Sequence, residues 1–240
     1  MSGLSAKYYT GKSLKPSVTV TLKGKKLVLN KDYKVTYKNN TNIGQAIVTI
    51  TGIGKYTGSI SRNFTIRIKN NSTYTAGKLK YTITNADTTG KGTVTLTAAT
   101  NKTTVISLTV PSIVKIGGKS FKVTAIGKKA FSGAKKLKKV VIGKYVTYIG
   151  KEAFSGNTAL TTVSCSCTSL NYIGKKVFYG DKKLSSVTLK TTKLTSSKTG
   201  SDAFKNIKST CKFKVPASKV KTYQKLLISR GAGSKIKVTK

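Results

Sequence analysis

Along the first 68 residues, apolar and polar positions alternate in short runs. Val18, Val20 and Leu22 share one face of "SVTVTL", and Tyr33, Val35 and Tyr37 share one face of "YKVTY". Ala46, Val48 and Ile50 repeat the pattern, as do Phe64, Ile66 and Ile68. A period of two places side chains on alternate faces of a strand, so each run reads as a half-buried strand. The stretches "KGKK", "KNNTNIG" and "GIGKYTG" punctuate them with turn residues. The pattern predicts a small β-sandwich over residues 1–72, closed by the linker "KNNST" at Lys69 to Thr73.

From Thr73 the pattern changes. "KLKYTIT", "GTVTLTA" and "TVISLTV" predict lead-in strands over residues 73–122, with a hairpin turning through Gly117 and Gly118. Then one sentence of sequence recurs: "IGKKAFSGAKKLKKV" from Ile126, "IGKEAFSGNTALTTV" from Ile149 and "IGKKVFYGDKKLSSV" from Ile173. Phe131, Phe154, Phe178 and Phe204 follow one another at intervals of 23, 24 and 26 residues. Leu137, Leu160 and Leu184 keep step with them, as do Val140, Val163 and Val187. The fourth copy is worn, since "TGSDAF" carries Thr199 where the others carry Ile. A coil of this length cannot bury its own Phe, Leu and Val, whereas stacked coils bury them against each other. The repeat therefore predicts a short solenoid of about four coils over residues 123–213. Residues 214–240 read as its cap: a strand in "CKFKVP", then a helix with Val220, Tyr223 and Leu227 on one face and Gly231 at its end.

Two resemblances attach to these residues. "YTGKSLKPSVTV", "DYKVTYKNNTNIGQAIVTITGIGKYTG" and "NFTI" resemble the small immunoglobulin-like repeats of secreted Gram-positive surface proteins. The repeat "IGxxAFxGxxxLxxVxI" resembles the BspA-like, or treponemal-type, leucine-rich repeats of bacterial surface proteins. Together they imply a mainly β chain: an N-terminal immunoglobulin-like β-sandwich, then a short leucine-rich-repeat solenoid spanning 73–240 with a C-terminal capping helix. They also imply a secreted or cell-wall associated adhesion or spacer role. The expected partner is a host or bacterial surface protein or glycan.

Composition narrows the chemistry. With 46 Lys and Arg against 5 Asp and Glu, the net charge is +41 and is spread evenly along the chain. Such a field draws polyanions, among them anionic cell-wall polymers and sulfated or sialylated glycans. No reading helix, aromatic ribonucleoprotein motif or zinc finger accompanies it, so no specific nucleic acid is expected. No apolar run is long enough to span a bilayer, and "MSGLSAKYYTGK" lacks the apolar core of a signal segment. A monomer is expected. The chain has no histidine, which excludes histidine-based triads and zinc sites. The five carboxylates stand apart, so no enzyme activity, metal or cofactor is expected. Asp32, the acid of the first domain, could promote a Lys–Asn isopeptide bond or hold a turn beside Tyr33.

Alternation inside "LxxVxI" sends Lys139 and Val141 outward, and likewise Thr162 and Ser164, then Ser186, Thr188 and Lys190. These form a candidate ligand-binding face, rich in hydroxyls with lysines at its ends and continued by Lys212 and Lys214. A second candidate, for polyanions, is a ladder of Lys128, Lys151 and Lys175 flanked by Lys135, Lys136, Lys182 and Lys183. Cys165, Cys167 and Cys211 are expected as three free thiols, with Cys165 filling the core.

Overall fold

The structure, a computed structural model, describes residues 2–240. The chain divides into two compact units: the residues up to Lys69 together with Gly117–Lys119, and Asn70–Ile116 together with Ser120–Lys240.

The first unit contains β1 (Lys7–Tyr8), β2 (Thr21–Leu22), β3 (Lys25–Lys26), β4 (Tyr33–Lys38), β5 (Gly44–Gly52) and β6 (Ser59–Arg67). Four of these form one sheet in the order β1-β6-β5-β4, with β1 parallel to β6 and the other pairs antiparallel. Ala46, Val48 and Ile50 are buried on one face of β5, as the alternation requires, and Phe64 and Ile66 join them from β6. The second layer of the expected sandwich is a single short hairpin, β2 with β3, within an otherwise irregular segment. "SVTVTL" is a strand only at Thr21–Leu22, which Lys23 and Gly24, both at positive φ, turn back into β3, while Thr19 makes a single bridge to Ser2. Leu22 is left 51% exposed. Val18 and Val20 still pack on the Leu27, Tyr33, Val48 and Ile50 cluster. The Tyr37 hydroxyl donates to the Pro16 carbonyl at 2.6 Å and pins this covering segment down. Asp32 holds a turn: its Oδ2 accepts the Val28 N–H at 2.8 Å.

The second unit contains β7 (Thr73–Ala76), β8 (Leu79–Asn85), β9 (Thr93–Ala99), β10 (Ser107–Val110), β11 (Ile113–Ile116) and β12 (Lys119–Ile126). These are followed by β13 (Lys139–Ile142), β14 (Tyr148–Ile149), β15 (Thr162–Cys165), β16 (Tyr172–Ile173), β17 (Ser186–Leu189) and β18 (Lys212–Lys214). The chain closes with α1 (Val220–Ser229) and β19 (Lys237–Thr239). One sheet runs β10-β13-β15-β17-β18-β19, every pair parallel. Its register sets Leu108, Val140, Val163, Val187, Phe213 and Val238 in one row. The other sheet runs β16-β14-β12-β9-β8-β7, with Ile126, Ile149 and Ile173 in one row.

Between the sheets stand columns of fully buried side chains, one from each turn of chain. The rings of Phe131, Phe154, Phe178 and Phe204 stack face to face at 5.7, 5.5 and 5.6 Å, and Phe213 meets the last ring edge-on. Leu137, Leu160 and Leu184 form a second column, and Val146, Leu170 and Leu194 a third. The periodic residues therefore serve one purpose, which is to offer each coil the same apolar shape as its neighbour. Hydroxyls latch the corners: Thr147 donates to the Thr124 carbonyl, Thr161 to Lys138 and Ser185 to Thr161. At the far end α1 buries Tyr223, Leu226 and Leu227; the Tyr223 hydroxyl donates to the Thr191 carbonyl and accepts the Leu194 N–H. The closing strand β19 was not legible in the sequence, since only Val238 and Ile236 mark it.

The cysteines depart from expectation. Cys165 and Cys167 are joined by a disulfide, and only Cys211 is free. An extended strand would hold residues two apart too widely for a bridge. β15 ends at Cys165, however, and the corner that follows turns both side chains inward, with Cα atoms 5.2 Å apart. Burial pushes the Cys211 thiol up to about 12, so it stays protonated as core filler.

Candidate binding surface

Alternation along the six parallel strands buries one side and leaves a polar side outward. Two rows cross it. One runs Ser107, Lys139, Thr162, Ser186, Lys212, Lys237, and the other Thr109, Val141, Ser164, Thr188, Lys214, Thr239. At about 4.8 Å per step, the face is about 24 Å wide. Every residue read from the sequence as part of this face lies on it, with Lys190 exposed at its rim just after β17. The strands β10 and β19 extend the face at both ends, adding Ser107, Thr109, Lys237 and Thr239. Alternation in "SLTV" could have disclosed the first two. Thr188, Lys190 and Lys214 also line a hollow of about 290 Å³, floored by Leu189 and Val215.

The hydroxyls of this face differ from those at the corners. Ser132, Ser155, Thr161, Ser166 and Ser185 each donate to a carbonyl of a neighbouring coil. The hydroxyls of Ser164, Ser186 and Thr188 make no hydrogen bond to any described residue, though each is part-exposed. Their donors and acceptors are available to a partner.

Lys128, Lys151 and Lys175 follow the aligned glycines of successive coils and are all exposed. Beside them lies a column the sequence did not disclose: Lys129, Glu152, Lys176 and Asp202 alternate in sign, and all four adopt φ of +55° to +57°. Glu152 takes both Lys129 and Lys151 at 3.4 Å, so it draws charge from each column. Desolvation pushes the Glu152 carboxyl up, but its bonds and charge contacts with Lys129 and Lys151 outweigh that and hold it below its usual value. Asp202 lies 3.7 Å from Lys205. One rung of the lysine ladder, Lys151, is thus taken up by a protein carboxylate. Lys135 and Lys136 are likewise separated from Lys182 and Lys183 by the intervening coil with Thr158 and Ala159, a gap of roughly 10 Å.

Asp181, a loop residue by its neighbours in sequence, is fully buried. Its Oδ1 accepts the Asn157 N–H at 2.7 Å, just as Asn157 Oδ1 accepts the Ala134 N–H at 2.7 Å one coil earlier. Its Oδ2 has no partner. Desolvation pushes the Asp181 carboxyl up to about 8, against the opposing pull of the Asn157 and Gly156 N–H groups. The folded state therefore holds the proton more tightly than the unfolded chain, whose value is 3.8. The resulting stabilisation is complete below the unfolded value and lost as pH rises through the folded one, at no more than about 1.4 kcal/mol per pH unit. Asp181→Asn, which copies Asn157, should flatten the fall in stability between about pH 4 and about pH 8. Denaturant titrations across that range check this; an unchanged slope contradicts it.

Among the described residues, no helix is long and apolar enough to cross a membrane, and no cluster of three or more candidate metal ligands occurs. Stacked parallel strands with repeating Leu, Val and Phe columns define a leucine-rich repeat protein. A family model, the BspA type leucine rich repeat region, matches residues 100–229 in six copies, and the chain belongs to that family. Similar solved structures include leucine-rich repeat proteins from Bacteroides ovatus and Bacteroides capillosus. The first has 26% identity, 60% of this chain and 35% of that one covered, and a TM-score of 0.48. The second has 20% identity, 70% and 99% covered, and a TM-score of 0.46. A leucine-rich repeat protein of T. pallidum matches at 23% identity, with 61% and 73% covered and a TM-score of 0.40. The chain thus spans about a third of the length of the Bacteroides ovatus protein. A search of curated proteins found no match.

Proposed function

We propose that this chain is a non-catalytic binding module of a secreted or wall-associated bacterial surface protein. In this reading the second unit is a solenoid that holds a protein or glycan through the outward face of its six parallel strands. The first unit serves as an immunoglobulin-like spacer, supported by its four-stranded sheet and the covering segment packed upon it. One observation carries the reading: the hydroxyls of Ser164, Ser186 and Thr188 stand unpaired in aligned rows while their counterparts at the corners are bonded. A regular lattice of small donors and acceptors suits a polar partner, and Lys139, Lys190, Lys212 and Lys214 at its margins would steer an anionic one.

A second reading, a general polyanion binder, draws on the excess of 46 basic over 5 acidic residues. Glu152, which takes up Lys129 and Lys151, weakens it locally. A glycan and matrix-protein array, probed at two ionic strengths, separates the two. The face-binding reading expects a partner retained at the higher salt. Polyanion binding would fall steeply, with a log–log slope of about −0.9 per neutralised phosphate for duplex DNA.

A further inference from the structure

The two sheets of the second unit begin differently. One continues past β12 through β9, β8 and β7, ending in an antiparallel hairpin that caps it. The other stops at β10, and among the described residues no strand pairs with its outer edge. An open edge presents unpaired N–H and C=O groups, which proteins ordinarily cover or blunt with charge or proline. Here Ser107–Val110 carries neither; Pro111 lies just beyond it.

Beside this edge runs a groove of about 830 Å³, lined by consecutive residues from Thr104 to Thr109 and also by Leu79, Ile113 and Val114. Two of its apolar residues are unusually open, Ile106 at 57% and Ile113 at 47% exposed. Lys78 and Lys115 also line it, and no carboxylate does.

We infer that the β10 edge and this groove bind an extended acidic peptide segment, which adds as a strand to the parallel sheet. Main-chain hydrogen bonds to β10 supply the affinity, and alternate side chains supply the selection. Apolar side chains of the peptide meet Ile106, Ile113 and Leu79, and acidic ones lie near Lys78 and Lys115, which line the same groove. A segment of roughly five residues matches the strand. A second copy of the chain is a poor occupant, because each copy carries +41. This site meets the outward polar face only at Ser107 and Thr109 on its margin, uses the backbone edge of β10, and does not depend on binding at Ser164, Ser186 and Thr188.

The test uses the full chain and a fluorescein-labelled, end-blocked peptide of alternating Glu and Val, read by anisotropy at physiological salt. Saturable binding is expected, with new amide-exchange protection at Ser107 to Val110. A matching Lys–Val peptide should not bind. N-methylation of alternate peptide amides should weaken binding about tenfold or more, as should the double variant Ile106→Ser with Ile113→Ser. Both isoleucines are exposed, so the double variant should melt with the parent; if it does not, the exchange pattern of the parent chain decides. The inference is overturned by any of three results: no saturation up to about 1 mM, indifference to N-methylation, or protection elsewhere than β10. Sedimentation showing a dimer of the chain that the double variant abolishes would also overturn it, by making a second copy the occupant.

Discussion

Replacing Phe154 by alanine should cost the larger unit about 3–5 kcal/mol of unfolding free energy. The ring is wholly buried and lies between Phe131 at 5.7 Å and Phe178 at 5.5 Å. Removing it breaks the column in the middle, and stacked coils held by aligned backbone bonds cannot collapse into the void. Tyr148 provides the control. It stacks on Tyr172 at only 4.6 Å, yet it is 41% exposed. Tyr148→Ala should therefore cost about 1 kcal/mol, within the range measured for aromatic pairs. Urea titrations at constant m compare the two. Equal losses would mean that ring stacking, rather than burial in the column, holds the coils together.

Gly174→Ala should be nearly as damaging, at about 3 kcal/mol, for the opposite reason. A Cβ at Gly174 would stand 2.5 Å from the Lys151 nitrogen and 2.7 Å from the Gly150 carbonyl carbon. Both are backbone atoms of the coil beneath, and the Gly174 N–H already donates to the Ile149 carbonyl at 2.8 Å. Nothing can yield without prising the coils apart. Gly127 opens the first copy of the same motif, but a Cβ there would find its nearest atoms at 3.4 Å. Gly127→Ala should be close to neutral. The melting temperatures of the two variants test this directly, and similar losses at both sites would refute the close-approach explanation.

These glycines show how far the sequence could be read. The intervals between Phe131, Phe154, Phe178 and Phe204 disclosed stacked coils, because burial between identical neighbours demands identical residues. The recurring "IG" was visible too, but its reason was not, since only the neighbouring coil shows where a Cβ would strike. Asp181 was illegible for a related cause. Its counterparts are Ala134 and Asn157, so no periodic signal marked the position as buried. The alternating column of Lys129, Glu152, Lys176 and Asp202 hid among non-glycine residues at positive φ, a conformation the sequence does not advertise. In the first unit, alternation correctly picked the buried face of β5 and β6. It overstated "SVTVTL", of which only Thr21 and Leu22 find a strand partner, while Val18 and Val20 pack on the core from an irregular segment. The outward face was legible because alternation is geometric. Which of its hydroxyls remain unpaired depended on corner bonds between coils, and only the fold supplied those.

The central claim, that the polar outward face of the six parallel strands does the binding, is tested most directly with a partner found on the array. Its affinity should be measured for the parent chain, for Ser164→Glu with Thr188→Glu, and for Lys128, Lys151 and Lys175 all changed to alanine. The face account predicts about a tenfold or greater loss in the glutamate pair and no more than about a twofold change in the alanine triple. An unaffected glutamate pair together with a crippled alanine triple would contradict it.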